Sequence, residues 1–198
     1  MMRRFRQVGI VALLLMLPAA APAGTWVLDS AHSAVQFKVR HMMVSNVRGG
    51  FEKVSGNITY DGGDISRSSA EITIDANSIN TRVEKRDKHL KSPDLLDAEK
   101  YPLLVFKSEK VERAGEEKLK VTGDLTIRGV TREVVLDVEG PTPPVKDLQG
   151  KMRVGGTAST TINRKDFGLT WNKAIEAGGV VVGNEVEITI DIEIVQEG

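Results

Sequence analysis

Apolar and polar residues alternate with a period of two through most of the chain beyond residue 34. Val35, Phe37, Val39 and His41 alternate with Gln36, Lys38 and Arg40. One face is suited to a core and the other to water, as in a strand with one buried side. Gly56, Ile58 and Tyr60 repeat the pattern, followed by Ala70, Ile72, Ile74 and Ala76. Leu119, Val121, Gly123, Leu125 and Ile127 form another row, and Val134, Leu136 and Val138 the next. Alternate residues from Met152 to Ile162 and from Val186 to Ile194 complete the set, and Leu104-Val105-Phe106 adds a less regular segment. Turn residues separate the rows. Asp61-Gly62-Gly63-Asp64, Ala114-Gly115-Glu116-Glu117 and Arg128-Gly129-Val130-Thr131 read as hairpin turns, and Pro141 to Pro144 as a stiff connection. About eight antiparallel strands with short turns predict an all-β sandwich or up-and-down barrel.

One interval departs from this pattern. Between residues 80 and 100 the chain is polar and helix-prone. Thr81 and Glu84 fit a capping box, and Ser92-Pro93 fits a second helix start. Leu95 and Leu96 are expected to pack inward, so the segment reads as a short helical insertion over one end of the sheet.

The first residues have a different character. Arg3, Arg4 and Arg6 precede an apolar run from Val8 to Leu17, Pro18 breaks it, and Ala21-Pro22-Ala23 offers a cleavage pattern. The run is shorter than the ~20 residues a spanning helix needs. Residues 1–23 are therefore expected to be an export leader removed near Ala23, leaving 24–198 as one domain with no membrane span. The mature domain is expected to be exported. The chain has no cysteine, so an exported domain must rely on core burial and sheet closure rather than disulfides.

Charge excludes some partners. Basic and acidic residues number 27 each, and removing the three leader arginines leaves the remainder at net −3. No basic stripe suggests nucleic acid. Motifs for chemistry are sparse. Three histidines, His32, His41 and His89, show no metal-ligand spacing. Asp29 with His32 and Asp87 with His89 are close enough in sequence to meet, but such residues are more often caps and surface pairs. Ser30 or Ser33 with His32 could be drawn as a hydrolase, yet no nucleophile elbow is present. Gly49-Gly50 and Gly178-Gly179 lack the strand–turn–helix setting of a phosphate loop.

The inward positions hold the remaining question. Gly56, Ala70, Ala76, Gly123, Gly156 and Ala158 are small, and aromatic residues make up only 5% of the chain. A barrel of about eight strands either fills with side chains or holds one ligand. Small inward residues favour a cavity; glycines that mark bulges favour a filled core. Spacing alone leaves both open.

Several segments, in order, resemble the YceI-like polyisoprenoid-binding family. They run from Asp29-Ser30-Ala31-His32-Ser33 through Val47-Arg48-Gly49 and Phe51 to Arg86-Asp87-Lys88-His89-Leu90 and Ser92-Pro93-Asp94. They continue through Tyr101-Pro102, Gly123 to Thr131, and Asn163-Arg164-Lys165-Asp166-Phe167-Gly168-Leu169. The resemblance spans Trp26 to Val195. It implies an eight-stranded antiparallel lipocalin-like β-barrel with an apolar interior that takes a long isoprenoid or related amphiphile, and it implies no catalytic residue. Leu95-Leu96 stands where the family often has two phenylalanines.

On this reading the partner is a long-chain lipid, with no other cofactor, and a homodimer is open. The candidate lining residues are the central members of the inward rows: Val35, Phe37 and Val39; Phe51, Ile58 and Ile72; Leu125 and Ile127; Ile188 and Ile190. His41, Arg82, Arg164 and Asp166 are candidates for a polar head at the mouth, with Arg164 and Asp166 as a structural loop pair the alternative. The rival functions are a small lipid-acting enzyme using the same cavity and a stress-related module with a filled core.

Overall fold

The computed structural model describes residues 24–175 and 178–197. The expected leader lies outside them. In chain order the strands are β1 (Gly24–Leu28), β2 (Ala34–His41), β3 (Ser45–Phe51), β4 (Val54–Tyr60), β5 (Ser69–Asp75) and β6 (Ile79–Asn80), followed by helix α1 (Glu84–Lys91). Then come β7 (Leu103–Gly115), β8 (Lys118–Ile127), β9 (Val130–Glu139), β10 (Val145–Lys146), β11 (Met152–Asn163) and β12 (Val182–Gln196).

These segments form eight staves of one closed antiparallel barrel. β1 and β2 lie end to end along one edge of β12, with Leu28 opposite Ile194 and Ala34 opposite Asp191. β3 and β4 lie end to end beside them, with β3 on β2 and β4 on β1. β6 and β5 continue the stepping, on β3 and β4 respectively. From there β7, β8, β9, β11 and β12 follow as single strands, each paired with the one before. β10 only flanks β11. The β12 edge against β1 and β2 closes the ring, so no full-length stave is left with an open edge.

The period-two rows therefore land on strands, and their inward faces meet in the interior. Arg128 and Gly129 join β8 to β9 with both residues at positive φ, 51° and 73°, which matches the right-handed twist of a hairpin.

Two expectations change. Thr81 and Glu84 do not form a capping box. α1 has no side-chain cap at Val83, because Thr81 is committed to Asp87 and Arg86. Ser92 does not open a second helix. It closes α1, its N–H donating to the His89 carbonyl, and residues 93–96 form a turn. Leu95 and Leu96 are buried, as expected.

Two of the small inward residues, Gly56 and Gly123, also need a new account. A Cβ on Gly56 would collide with the Glu71 carbonyl and one on Gly123 with the Lys107 carbonyl. These glycines let neighbouring backbones approach closely, and Gly123 lies where β7 shifts register between Ser108 and Lys110. They do not create the interior space.

Candidate functional site

The two ends of the barrel are built differently. At the end bearing the β7–β8 hairpin, the interior is filled. Trp26 is fully buried and meets Tyr60 edge-on, with centroids 5.6 Å apart and planes at 81°. Val111, Leu119, Val154 and Ile194 are buried in the same core, and none of these six side chains borders open space.

Toward the other end, under α1, the core opens into a cavity of about 390 Å³. It is walled by inward residues of every stave. Of the sequence candidates, Val35, Phe37, Val39, His41, Phe51, Ile58, Ile72, Leu125, Ile127, Arg164, Ile188 and Ile190 all border it. Phe37 and Phe51 stand 6.1 Å apart, tilted, across β2 and β3. Phe37, Ile188 and Ile190 are only half-buried although they point inward; the surface they keep faces this cavity. The lining on β12 runs from Val182 to Ile192, about 33 Å of strand at the usual rise.

Two candidates lie elsewhere. Arg82 is exposed, with a positive φ of 64°, and its side chain leaves the wall. Asp166 is exposed in the 3₁₀ turn Arg164–Phe167. Among the described residues Asp166 makes no ion pair with Arg164, so the loop-pair alternative fails as well.

Arg164 is held differently. It is 4% exposed and is surrounded by carbonyls. Its Nε donates to Gly183 O at 2.8 Å, Nη1 to Leu169 O and to Trp171 O, and Nη2 to Val182 O at 3.4 Å. No carboxylate pairs with it among the described residues. Burial pushes its pKa down from the ordinary arginine value, yet a guanidinium remains charged in any ordinary buffer. The cavity thus has a positive charge in its wall that carbonyl dipoles satisfy only in part.

Other basic groups gather at this end. Arg86 and His89 border the cavity from α1, with Leu90, Leu95 and Leu96 beside them. Arg86 is anchored by Nε to Thr81 Oγ1 at 2.7 Å and by Nη2 to Thr81 O at 2.8 Å. His89 meets the Trp171 ring edge-on at 4.5 Å and pairs with Asp94 at 3.3 Å. Asp191 is the acid among the wall residues. It sits in the half of β12 toward the Trp26 end, and its carboxylate accepts from Thr157 on the outer face. The site is therefore apolar along its length and basic at the α1 end. Arg86, His89 and Trp171 were not among the sequence candidates. The i, i+3, i+4 spacing of Arg86, His89 and Leu90 places them on one helix face, a signal the sequence did carry.

The chemistry-bearing residues near the start of the domain assemble into something else. His32 Nδ1 lies 2.9 Å from Asp29 Oδ2, and ligand atoms of Asp29, His32 and Glu193 lie within 4.8 Å of one another. Arg153 already occupies that space as the cation. It bonds Asp29 Oδ2 at 2.6 Å, Asp147 Oδ2 at 2.8 Å, and Glu193. Hydrogen bonds from Arg153 and then His32 hold the Asp29 carboxyl far below the usual carboxylate range. Asp29 and its charge, then Glu193, raise His32. Ser33 Oγ is tied to the backbone of Glu193, at 3.3 Å to its carbonyl and 3.0 Å from its N–H. No hydrogen bond joins Ser30 or Ser33 to His32 among the described residues, so the serine–histidine step of a hydrolase is not assembled. Asp87 and His89 take separate partners, Thr81 and Asp94.

Comparison with known proteins agrees with the barrel. The family model for the YceI-like domain matches residues 26–194. A UPF0312 protein of Staphylococcus aureus strain MSSA476 is 37% identical over 165 residues, covering 83% of this chain and 94% of its own. The crystal structure of a Campylobacter jejuni YCEI protein superposes with a TM-score of 0.70 at 34% identity, covering 86% of this chain and 97% of the other. The structure of a polyisoprenoid binding domain from Saccharophagus degradans shares the fold, with a TM-score of 0.63 at 18% identity over 87% of this chain and 98% of the other.

Proposed function

The chain belongs to the YceI-like domain family, and on that premise we propose that it binds and carries a long apolar lipid, a polyisoprenoid or related amphiphile, inside the barrel without transforming it. The observation that carries this reading is the aliphatic cavity itself, closed at one end by the packed core that contains Trp26 and basic at the other. Each methylene moved from water into such a wall is worth ~0.8 kcal/mol. A long chain therefore needs few polar contacts to bind tightly. Arg164, Arg86, His41 and His89 favour placing an oxygen-rich or anionic head at the α1 end. The name of the Saccharophagus degradans domain agrees with a prenyl ligand. Export to the periplasm after cleavage near Ala23 is part of the same proposal. N-terminal sequencing of the exported protein tests it, and a retained Met1 refutes cleavage.

The ligand test is native mass spectrometry of protein stripped of lipid and then offered prenols and prenyl phosphates of graded length. The expected result is a one-to-one complex with a preferred length. Absence of uptake for every prenyl and acyl chain would leave a barrel with another purpose. Hydrolysis of a supplied prenyl ester would favour the enzyme over the carrier.

A further inference from the structure

The turn between β2 and β3 is built from residues that suit it poorly. Met42 and Met43 both have positive φ, 47° and 61°, a region in which bulky side chains are strained and Asn or Gly is favoured. Nothing in the turn shelters their side chains. Met42 is 41% exposed, Met43 49% and Val44 77%. Strain of this kind persists where surrounding structure enforces it, and it points to a use other than turn stability.

The position of the turn suggests that use. The turn follows His41, which walls the cavity, and the Met42 N–H donates to Val181 O at 2.8 Å, another wall residue. Met43 rests against Gly179 in the adjoining loop, where Ile175 also lies. An exposed apolar tip therefore stands at the rim of the basic end of the cavity. Basic residues lie on the strands and the loop that carry it. Arg40 Nη2 donates to Met43 O at 3.0 Å, Arg48 is exposed on β3, and Lys173 is exposed on the loop whose carbonyl receives the Val181 N–H. None of the three has an ion-pair partner among the described residues.

We propose that the Met42-Met43-Val44 tip, ringed by Arg40, Arg48 and Lys173, docks this end of the barrel on an anionic lipid bilayer, so that the cavity faces the membrane it exchanges lipid with. Flexible thioether side chains enter the headgroup–acyl boundary, and the arginines and lysine meet lipid phosphates. The inference rests on the lipid-carrier reading for its purpose but not for its test.

The test is co-sedimentation of the protein with vesicles of phosphatidylcholine alone or with phosphatidylglycerol at one part in three. Wild type should bind the anionic vesicles and only weakly the neutral ones. The double variant Met42→Asn, Met43→Gly should melt at the same or a higher temperature, because both residues relax the turn, yet bind anionic vesicles roughly ten-fold less. Lys173→Gln should lose about five-fold on anionic vesicles and nothing on neutral ones. Prenol uptake from detergent, read in parallel, reports the cavity alone, so failure of docking and failure of the carrier reading are separable. Three results would overturn the proposal: no binding by wild type, equal binding by the double variant, or a wild-type dimer in solution that the double variant abolishes. The last would assign the tip to a second copy of the chain.

Discussion

The Gly183 carbonyl, displaced from the β2–β12 ladder by a bulge, is taken by the Nε–H of Arg164 at 2.8 Å. The register between these strands shifts between Val182 and Val186, which takes the Gly183 carbonyl off the ladder, while the Val182 carbonyl also accepts from Asn172 Nδ2 at 2.7 Å. Arg164 serves Val182 and Gly183 on that side, and Leu169 and Trp171 on the other. One side chain thus fixes the rim of the barrel where the cavity is basic. Arg164→Met should cost about 2–4 kcal/mol in urea unfolding, because buried carbonyls lose their donor. Arg164→Lys should recover less than half, since a compact ammonium cannot reach acceptors spread around a planar fork. A neutral or stabilising Arg164→Met would show that the bulge holds itself.

Trp26 belongs to the packed core that closes the opposite end. Trp26→Ala should lower stability by about 3–5 kcal/mol. It should also lengthen the space available, so the chain captured in native mass spectra should shift toward longer homologues. An unchanged length preference would place the limit elsewhere.

Ile188 and Val154 test the contrast between the hollow and filled halves. Ile188→Trp projects into the cavity and should change stability by less than about 1.5 kcal/mol while reducing lipid uptake at least ten-fold. Val154→Trp, made where the core is packed, should cost about 1–3 kcal/mol or more. Equal penalties at the two sites would mean that the walls collapse on each other in solution.

The Asp29–His32–Arg153 cluster makes stability depend on pH in two opposite ways. Asp29 has a lowered folded-state pKa, so its contribution is present above the unfolded value of about 3.9 and lost as pH falls below it. His32 has a raised folded-state pKa, so its contribution is full below the unfolded value of about 6.5 and lost as pH rises through the folded one. The deficit of Asp29→Asn against wild type should therefore shrink on acidification. The deficit of His32→Gln should shrink at alkaline pH. Urea titrations at pH 3, 6 and 9 read both trends, and a His32→Gln deficit that grows toward pH 9 would contradict the assignment.

The long rows of Val, Ile and Leu were legible because a half-buried strand imposes period two. β3 was not, since its inward row is Val47, Gly49 and Phe51, and a Cβ at Gly49 would come within 2.6 Å of the Phe37 ring. Space kept clear for a neighbour's ring leaves no apolar mark. Eleven of the fourteen candidate site residues border the cavity because strand alternation dictates facing, and Arg164 reaches it from the 3₁₀ turn that follows β11. Arg82 and Asp166 belong to irregular backbone, where no period assigns a face. The hollow itself could not be read. The same aliphatic alternation runs through both halves, and the difference lies in where Trp26 and Tyr60 meet. Of the small inward residues, Ala70 and Ala158 border the cavity, whereas Gly56 and Gly123 are pressed against neighbouring backbone.

Because every stave but one pair joins its neighbour through a local connection, the ring has a single seam distant in sequence, where β12 meets β1 and β2. Hairpins can form as the chain emerges, at low entropic cost. The latest of the described strands in chain order is the one that locks the circle. Until it arrives, the nascent sheet presents two long sticky margins, so premature termination before residue 182 should yield polymers rather than a smaller barrel.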